Sequence, residues 1–362
     1  MQKVSNSLVE SLARKSITTV SISLAAILGL SGCTTMTEDK VAAVPDLSGV
    51  YDIATLTPLQ RPKMFGDNKF LTRDAADKIR TDKQDLLSAS SAQSDPDREA
   101  PPEGGDGSEG AAGNVGGYNA FWIDNGDTAF EIDGKFRTSI IYDPVDGRRP
   151  AMTPEARKRL MAYYAQFRTN KGEAWWVKSG GQGPYDDPEL RPLAERCLLG
   201  FGSTAGPPML PVLYNNVKRI VQTTDHVMIL NEMVHDSRII RLNSEHLPSD
   251  VRKWMGDSVG HWEDNTLVVD TTNFTDRPAL GGASRDLHVV ERFTMSEDGS
   301  LVYGFTVEDP SVWTAAWSGE FPWPVSTGQV FEYACHESNY AMGNILRGAR
   351  ILESETPVSD GE

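Results

Sequence analysis

Between residues 217 and 308 the chain is a succession of short runs of β-branched and aromatic residues punctuated by Asn, Asp and Gly, and no other feature restricts the fold as much. The runs are 217–224, 227–234, 260–272, 287–295 and 301–308, with Asp225-His226 and Asp298-Gly299 placed as turns. Segments this short predict antiparallel strands joined by hairpins, a mainly β meander that closes into a barrel or else packs as a sandwich. A few helices are expected at its periphery.

Residues 1–32 read as a leader, since Lys3, Arg14 and Lys15 precede an apolar run, 17–30, that is too short to span a bilayer. Its end, Leu30-Ser31-Gly32-Cys33, resembles the lipobox of bacterial lipoproteins, which implies cleavage before Cys33 and acylation of that cysteine. An ordinary secretory signal is the alternative. Thr34 in the second place of the mature chain implies, by the same resemblance, an anchor in the outer membrane, facing the periplasm or exposed at the cell surface. Losing the leader removes three cationic side chains and one anionic one, so the net charge of −16 becomes −18. So acidic a surface repels phosphate backbones and argues against nucleic acid as a partner. Cys197 and Cys335 are then the cysteines left, and an exported chain with two usually pairs them; two buried free thiols are the alternative. The bond would close a loop of 138 residues, worth about 4 to 5 kcal/mol by loop-closure entropy.

The remainder is expected to form a tether over 33–45, a single β-rich domain over 46–352 and a tail over 353–362. Its first strand is placed at Asp46-Leu-Ser-Gly-Val-Tyr51, and Thr72 caps a helix over 73–87. Residues 88–117, rich in Ser, Asp, Glu, Pro and Gly, read as a disordered acidic loop. The segments around Tyr118, Asn119 and Trp122 and around 136–142 return to the core as strands. Thr153-Pro154 opens a helix to about residue 168 whose Leu160, Tyr164 and Phe167 form one packed stripe. Residues 178–211 read as an ordered cover held by Cys197, and Trp317-Ser-Gly-Glu-Phe-Pro-Trp-Pro324 as a lid or packed loop, with a partner-facing patch as the alternative.

Many short motifs, among them Arg191-Pro-Leu-Ala-Glu-Arg-Cys197, Asn231-Glu-Met-Val-His-Asp236, Val307-Glu-Asp-Pro310 and Tyr333-Ala-Cys-His-Glu337, resemble a large group of exported bacterial proteins and lipoproteins of uncharacterised function. The resemblance spans nearly all of 46–350 apart from the acidic loop and implies export but no activity. More loosely, Trp262 before the turn Glu263-Asp-Asn265 is similar to hairpins of lipocalin-like barrels, which implies that kind of closure.

Candidate site residues follow from the faces they occupy. A two-residue turn at Asp298-Gly299 sets Arg292 opposite Phe305, and so places His288 and Arg292 inside with Tyr303. There they would anchor a ligand, unless Arg292 forms a structural ion pair. A strand over 227–236 brings Glu232 and His235 to a rim as acid–base candidates, and His336, beside the expected disulfide, is a third. Tyr118, Asn119, Trp122 and Arg137 complete the ligand-binding set. No metal or cofactor is expected, because His235, His288 and His336 lack metal-site spacing and no phosphate-cradling or nucleophile motif occurs. Three functions fit: a membrane-anchored carrier of a small apolar or carbohydrate-like ligand, which leads; a cofactor-free hydrolase, lyase or isomerase; and an outer-membrane assembly protein.

Overall fold

The computed structural model describes residues 44–90, 123–167 and 171–356. The leader with Cys33, the tether up to residue 43, nearly all of the acidic loop, and Tyr118, Asn119 and Trp122 lie outside them. The strands, in chain order, are β1 (Gly49–Asp52), β2 (Glu131–Ile132), β3 (Lys135–Phe136), β4 (Ile141–Asp143), β5 (Val217–Gln222) and β6 (His226–Asn231). They continue as β7 (Ser237–Leu242), β8 (Asp257–Glu263), β9 (Thr266–Thr272), β10 (His288–Met295), β11 (Leu301–Glu308) and β12 (Trp317–Trp323). Among the described residues four α-helices accompany them, α1 (Arg73–Ser90), α2 (Pro154–Ala165), α3 (Trp175–Ser179) and α4 (Tyr340–Glu355). None is long and apolar enough to cross a membrane.

Ten strands make one curled sheet in the order β1-β5-β6-β7-β8-β9-β10-β11-β12-β4, so the mainly β reading with peripheral helices holds. Neighbours are antiparallel except β7 and β8, which run parallel with Ile240 opposite Ser258. Parallel neighbours cannot share a tight hairpin, and the chain crosses between them through residues 243–256. The Asp52 N–H donates to Pro324 O at 3.1 Å and the Ser326 N–H to Val50 O at 2.8 Å, so β1 also meets the chain just beyond β12.

Several sequence expectations change. The strand over 227–236 is interrupted: β6 stops at Asn231, a short helical turn follows, and β7 begins at Ser237. The segment 317–324 is neither lid nor patch but an interior strand. Trp317, Gly319, Phe321 and Trp323 alternate onto one buried face, and Pro322 falls where β4, bonded only at Ser318 and Gly319, leaves its missing N–H without consequence. Helix α2 is capped by Thr153, whose side chain accepts the Ala156 N–H at 3.2 Å, but it buries Ala156 rather than the expected stripe, and Tyr164 is exposed. α1 begins as expected at Thr72, whose hydroxyl accepts the Ala75 N–H.

The register of β10 on β11 decides which residues are interior. Ser296 and Ser300 close a longer turn, the Ser296 N–H donating to Ser300 O, so Arg292 faces Gly304 and Glu291 faces Phe305. A slip of one residue exchanges the faces. Val289, Glu291 and Phe293 therefore point inward, while His288 and Arg292 lie outside. The interior is filled by Phe293, Tyr303, Phe321 and Trp323, with ring centroids 4.7 to 5.6 Å apart for Tyr303 against Trp323 and Phe321.

At the centre of this packing lies a buried ion pair. Arg238 on β7 binds both carboxylate oxygens of Glu291 and donates to Ser258 Oγ and Thr271 Oγ1 at 3.0 Å. The Tyr303 hydroxyl donates to Glu291 Oε1 at 2.7 Å and accepts the Met209 N–H at 2.9 Å. Every polar group in the network is satisfied, which is the condition for charges to persist inside a core. The buried Met209 carries the cover segment into the interior as a plug, and the bond from Cys197 to Cys335 anchors that segment.

Candidate ligand-binding cavity

A cavity of about 990 Å³ opens at the end of the sheet where β1 stops and β5 starts. Its walls include Asp52, Asp124, Val217 and Glu232, and its roof is the segment 326–338 with Phe331, Glu332 and Tyr333. Besides the bond of Ser326 to β1, three ties bring the roof here. The disulfide between Cys197 and Cys335 fixes one end, with Cα atoms 5.7 Å apart. Glu232 Oε1 accepts the Phe331 N–H at 3.0 Å, and His235 Nε2 accepts the Tyr333 N–H at 2.8 Å. Two side chains of the β6–β7 turn thus take alternate roof amides, as a neighbouring strand would. That turn places Val234 at φ 62° and His235 at φ 54°, a left-handed geometry that strains a β-branched residue.

Lys218 lies behind the wall of this site: it is not a lining residue, but the wall carboxylates Asp52 and Glu232 act on its charge. It shares the inward face of β5 with Ile220, stands opposite Tyr51 of β1 and Asn231 of β6, and is fully buried. Its Nζ has no hydrogen-bond partner among the described residues, and neither have Asn231 Oδ1 and Asp236 Oδ2 nearby. Burial pulls the Lys218 ammonium down from 10.5 to about 7, against the pull of Glu232, Asp236 and Asp52, which favour the charged form. Burial likewise pushes Asp236 up to about 6, opposed by the Gly200 N–H, Lys218 and His235. Asp124 is raised by burial and then by repulsion from Asp52, Asp127 and Glu232. Lys83, buried and donating to Asn125 Oδ1 at 2.7 Å, acts on Asp124 in the opposite sense, so the cavity carboxylates Asp52, Asp124, Glu232 and Glu332 stand against two buried cations, Lys218 and Lys83.

Of the expected site residues, Glu232 and His235 meet here, although as ligands of the roof rather than as neighbours on a strand. His336 is exposed just past the disulfide and does not line the cavity. Arg137 pairs with Glu320 and lies over the Phe70 ring at 5.7 Å, away from the cavity wall. Arg292 is 48% exposed and bonds Glu263 at 2.8 Å, the ion-pair outcome. His288 belongs to a chain on the outer face: Asp257, His246, Asp270, His288 and Glu308 bond in succession, with Asp270 2.8 Å from His246 Nε2 and 2.7 Å from His288 Nε2. Among the described residues no group of His, Cys, Asp or Glu has the arrangement of a metal site.

Sequence reasoning missed Lys218, Asp52 and Asp124. One signal was present, since Lys218, Ile220 and Gln222 share a face by period-two alternation. It was ambiguous, because Arg219 and Val221 give the other face the same character.

What fold and site define together is a mainly β protein with a disulfide-pinned, acidic cavity at one end of its sheet. No protein-family model matches the chain, and no curated protein or solved structure matches it either.

Proposed function

We propose that this is an exported, lipid-anchored binding protein whose cavity takes a small organic cation, an ammonium group on an apolar body. The observation that carries the reading is the convergence of Asp52, Asp124 and Glu232 on a cavity that also presents Tyr214, Phe331 and Tyr333. Asp52 and Glu232 repel the Asp124 carboxylate, a cation relieves that repulsion, and aromatic faces attract ammonium groups within about 6 Å. The size fits a small-molecule site. The lipobox-like Cys33 supports the anchor, and the contact of β1 with residues 324–326 supports a barrel closed at this end.

The acid–base enzyme reading has less support, because Glu232 and His235 each already accept a roof amide. The assembly reading loses its patch, since Trp317 and Trp323 are interior. The test is calorimetric titration of the purified protein with choline, putrescine and 3,3-dimethylbutanol, the neutral analogue of choline. Choline or putrescine should bind at least about tenfold more tightly than the alcohol, and Glu232→Gln with Asp124→Asn should remove most of that preference. Equal affinity for charged and neutral probes, or no binding of either cation, refutes the reading.

A further inference from the structure

Lys218 brings a positive charge to a site argued to accept cations, yet its Nζ donates to no described residue and it is completely buried. A structural lysine in that position would be expected to hold a carboxylate directly, because an unpaired buried charge is costly. Resting on the cation-binding reading, we propose that Lys218 is the internal counter-ion of the ligand-free cavity, and that a bound cation replaces it by driving the proton off its amine.

The geometry assembles the parts of such an exchange. Lys218 does not itself line the cavity, since its neighbour Val217 does and successive strand residues face opposite ways, but two wall carboxylates, Asp52 at the end of β1 and Glu232 just beyond β6, act on its charge. The groups facing it are Tyr51 and Asp52 from β1, Asn231 and Glu232 from β6 and its turn, and Asp236 and His235 from the far side of that turn. The Tyr51 hydroxyl is committed to Leu47 O and His235 Nε2 to the Tyr333 N–H, which leaves the carboxylates as the charges Lys218 answers to. Without a ligand, the ammonium offsets them. A cation at Asp52, Asp124 and Glu232 takes over that role, and two positive charges then share one set of carboxylates, the buried lysine being the one cut off from solvent. The lysine is the one that can lose its charge: its proton leaves to solvent and the neutral amine remains. An amine pulled by burial to a half-protonated state near pH 7 is poised for this.

Choline is the suitable probe, because its quaternary ammonium has no exchangeable proton and any proton released comes from the protein. Affinity for choline should rise about tenfold from pH 6 to pH 8, the change expected when a group titrating near 7 must be neutral for binding. Titrations at pH 7 in buffers of different ionisation enthalpy should show fractional proton release. Lys218→Met, which keeps the length and removes the charge, should bind choline at least as tightly at pH 6 as the native protein does at pH 8, with little release. The native protein carrying isotope-labelled lysine gives a readout that does not depend on a variant: one Nζ resonance should titrate near neutrality and move to the neutral amine on adding choline. Choline binding with the same pH dependence in Lys218→Met, or with no lysine resonance moving, overturns the role of Lys218 while leaving the cation site standing. Absence of choline binding in every form overturns the role of Lys218, and absence of putrescine binding as well removes the cation site too.

Discussion

Arg238 and Glu291 show what a single buried charge demands of its surroundings. Each is almost inaccessible to solvent, and the guanidinium finds a carboxylate and two hydroxyls that absorb its donors. Removing one partner leaves the other charged and unpaired, so Arg238→Met should lower unfolding stability by about 3 to 5 kcal/mol. Removing both with Glu291→Leu should recover a large part of that loss, since two apolar side chains need no partner. Denaturant melts of the two forms check this, and a double variant as unstable as the single one contradicts it. Lys218 differs from Arg238 in this respect: its neighbours are charged but none of the described residues bonds it, which separates a residue kept for the core from one kept for a site.

At the scale of elements, the outer His–Asp chain ties the crossover 243–256 to the sheet. His246 in that crossover bonds Asp257 of β8 and Asp270 of β9, and Asp270 bonds His288 of β10. The bond to Asp270 raises the His288 pKa above its usual 6.5, and the bonds to His288 and His246 lower that of Asp270 against burial. A raised histidine contributes stability that is complete below about pH 6.5 and lost as pH climbs through the folded value. A lowered carboxylate contributes above its unfolded value of about 3.8 and loses this on acidification. Asp270→Asn should therefore cost about 1 kcal/mol near pH 5.5, a small figure because both side chains are a third exposed, and markedly less at pH 9. A penalty that does not change with pH would contradict the pairing.

The roof obeys a different logic, with a covalent tie and two side-chain acceptors in place of a ladder. Replacing Cys197 and Cys335 by Ser should lower stability by up to about 5 kcal/mol. Hydrogen exchange should quicken over 326–338 more than in β9 to β11, because the roof is then held without a covalent tie, by bonds such as those to Glu232 and His235 and its junction with β1. Uniform acceleration across the chain would mean that the bond stabilises the whole and does not position the roof.

Across the whole molecule, local patterns made β5, β6, β10 and β11 legible, because period-two alternation of apolar residues is set by the backbone itself, whereas β8 and β9 fell in one run, 260–272, that only the lipocalin-like hairpin divided. The helix starts at Thr72 and Thr153 were legible for the same reason: a hydroxyl next to a free helical amide is a local bond. β7 was not, since Ser237–Leu242 carries arginine at 238 and 241, and its parallel partner lies beyond a crossover. β12 was hidden by its proline. The cavity was least legible of all, being built from residues near 52, 124, 215, 232 and 331, which no spacing in the chain connects. The sequence by itself determined a mainly β chain, its cysteine pair and the places where helices begin, because each depends on neighbours a few residues away or on composition. Tertiary structure alone decided the register of β10 on β11, and with it that Glu291 rather than Arg292 is interior. It alone gathered Lys218 and the carboxylates, because burial and charge proximity exist only once distant strands are side by side.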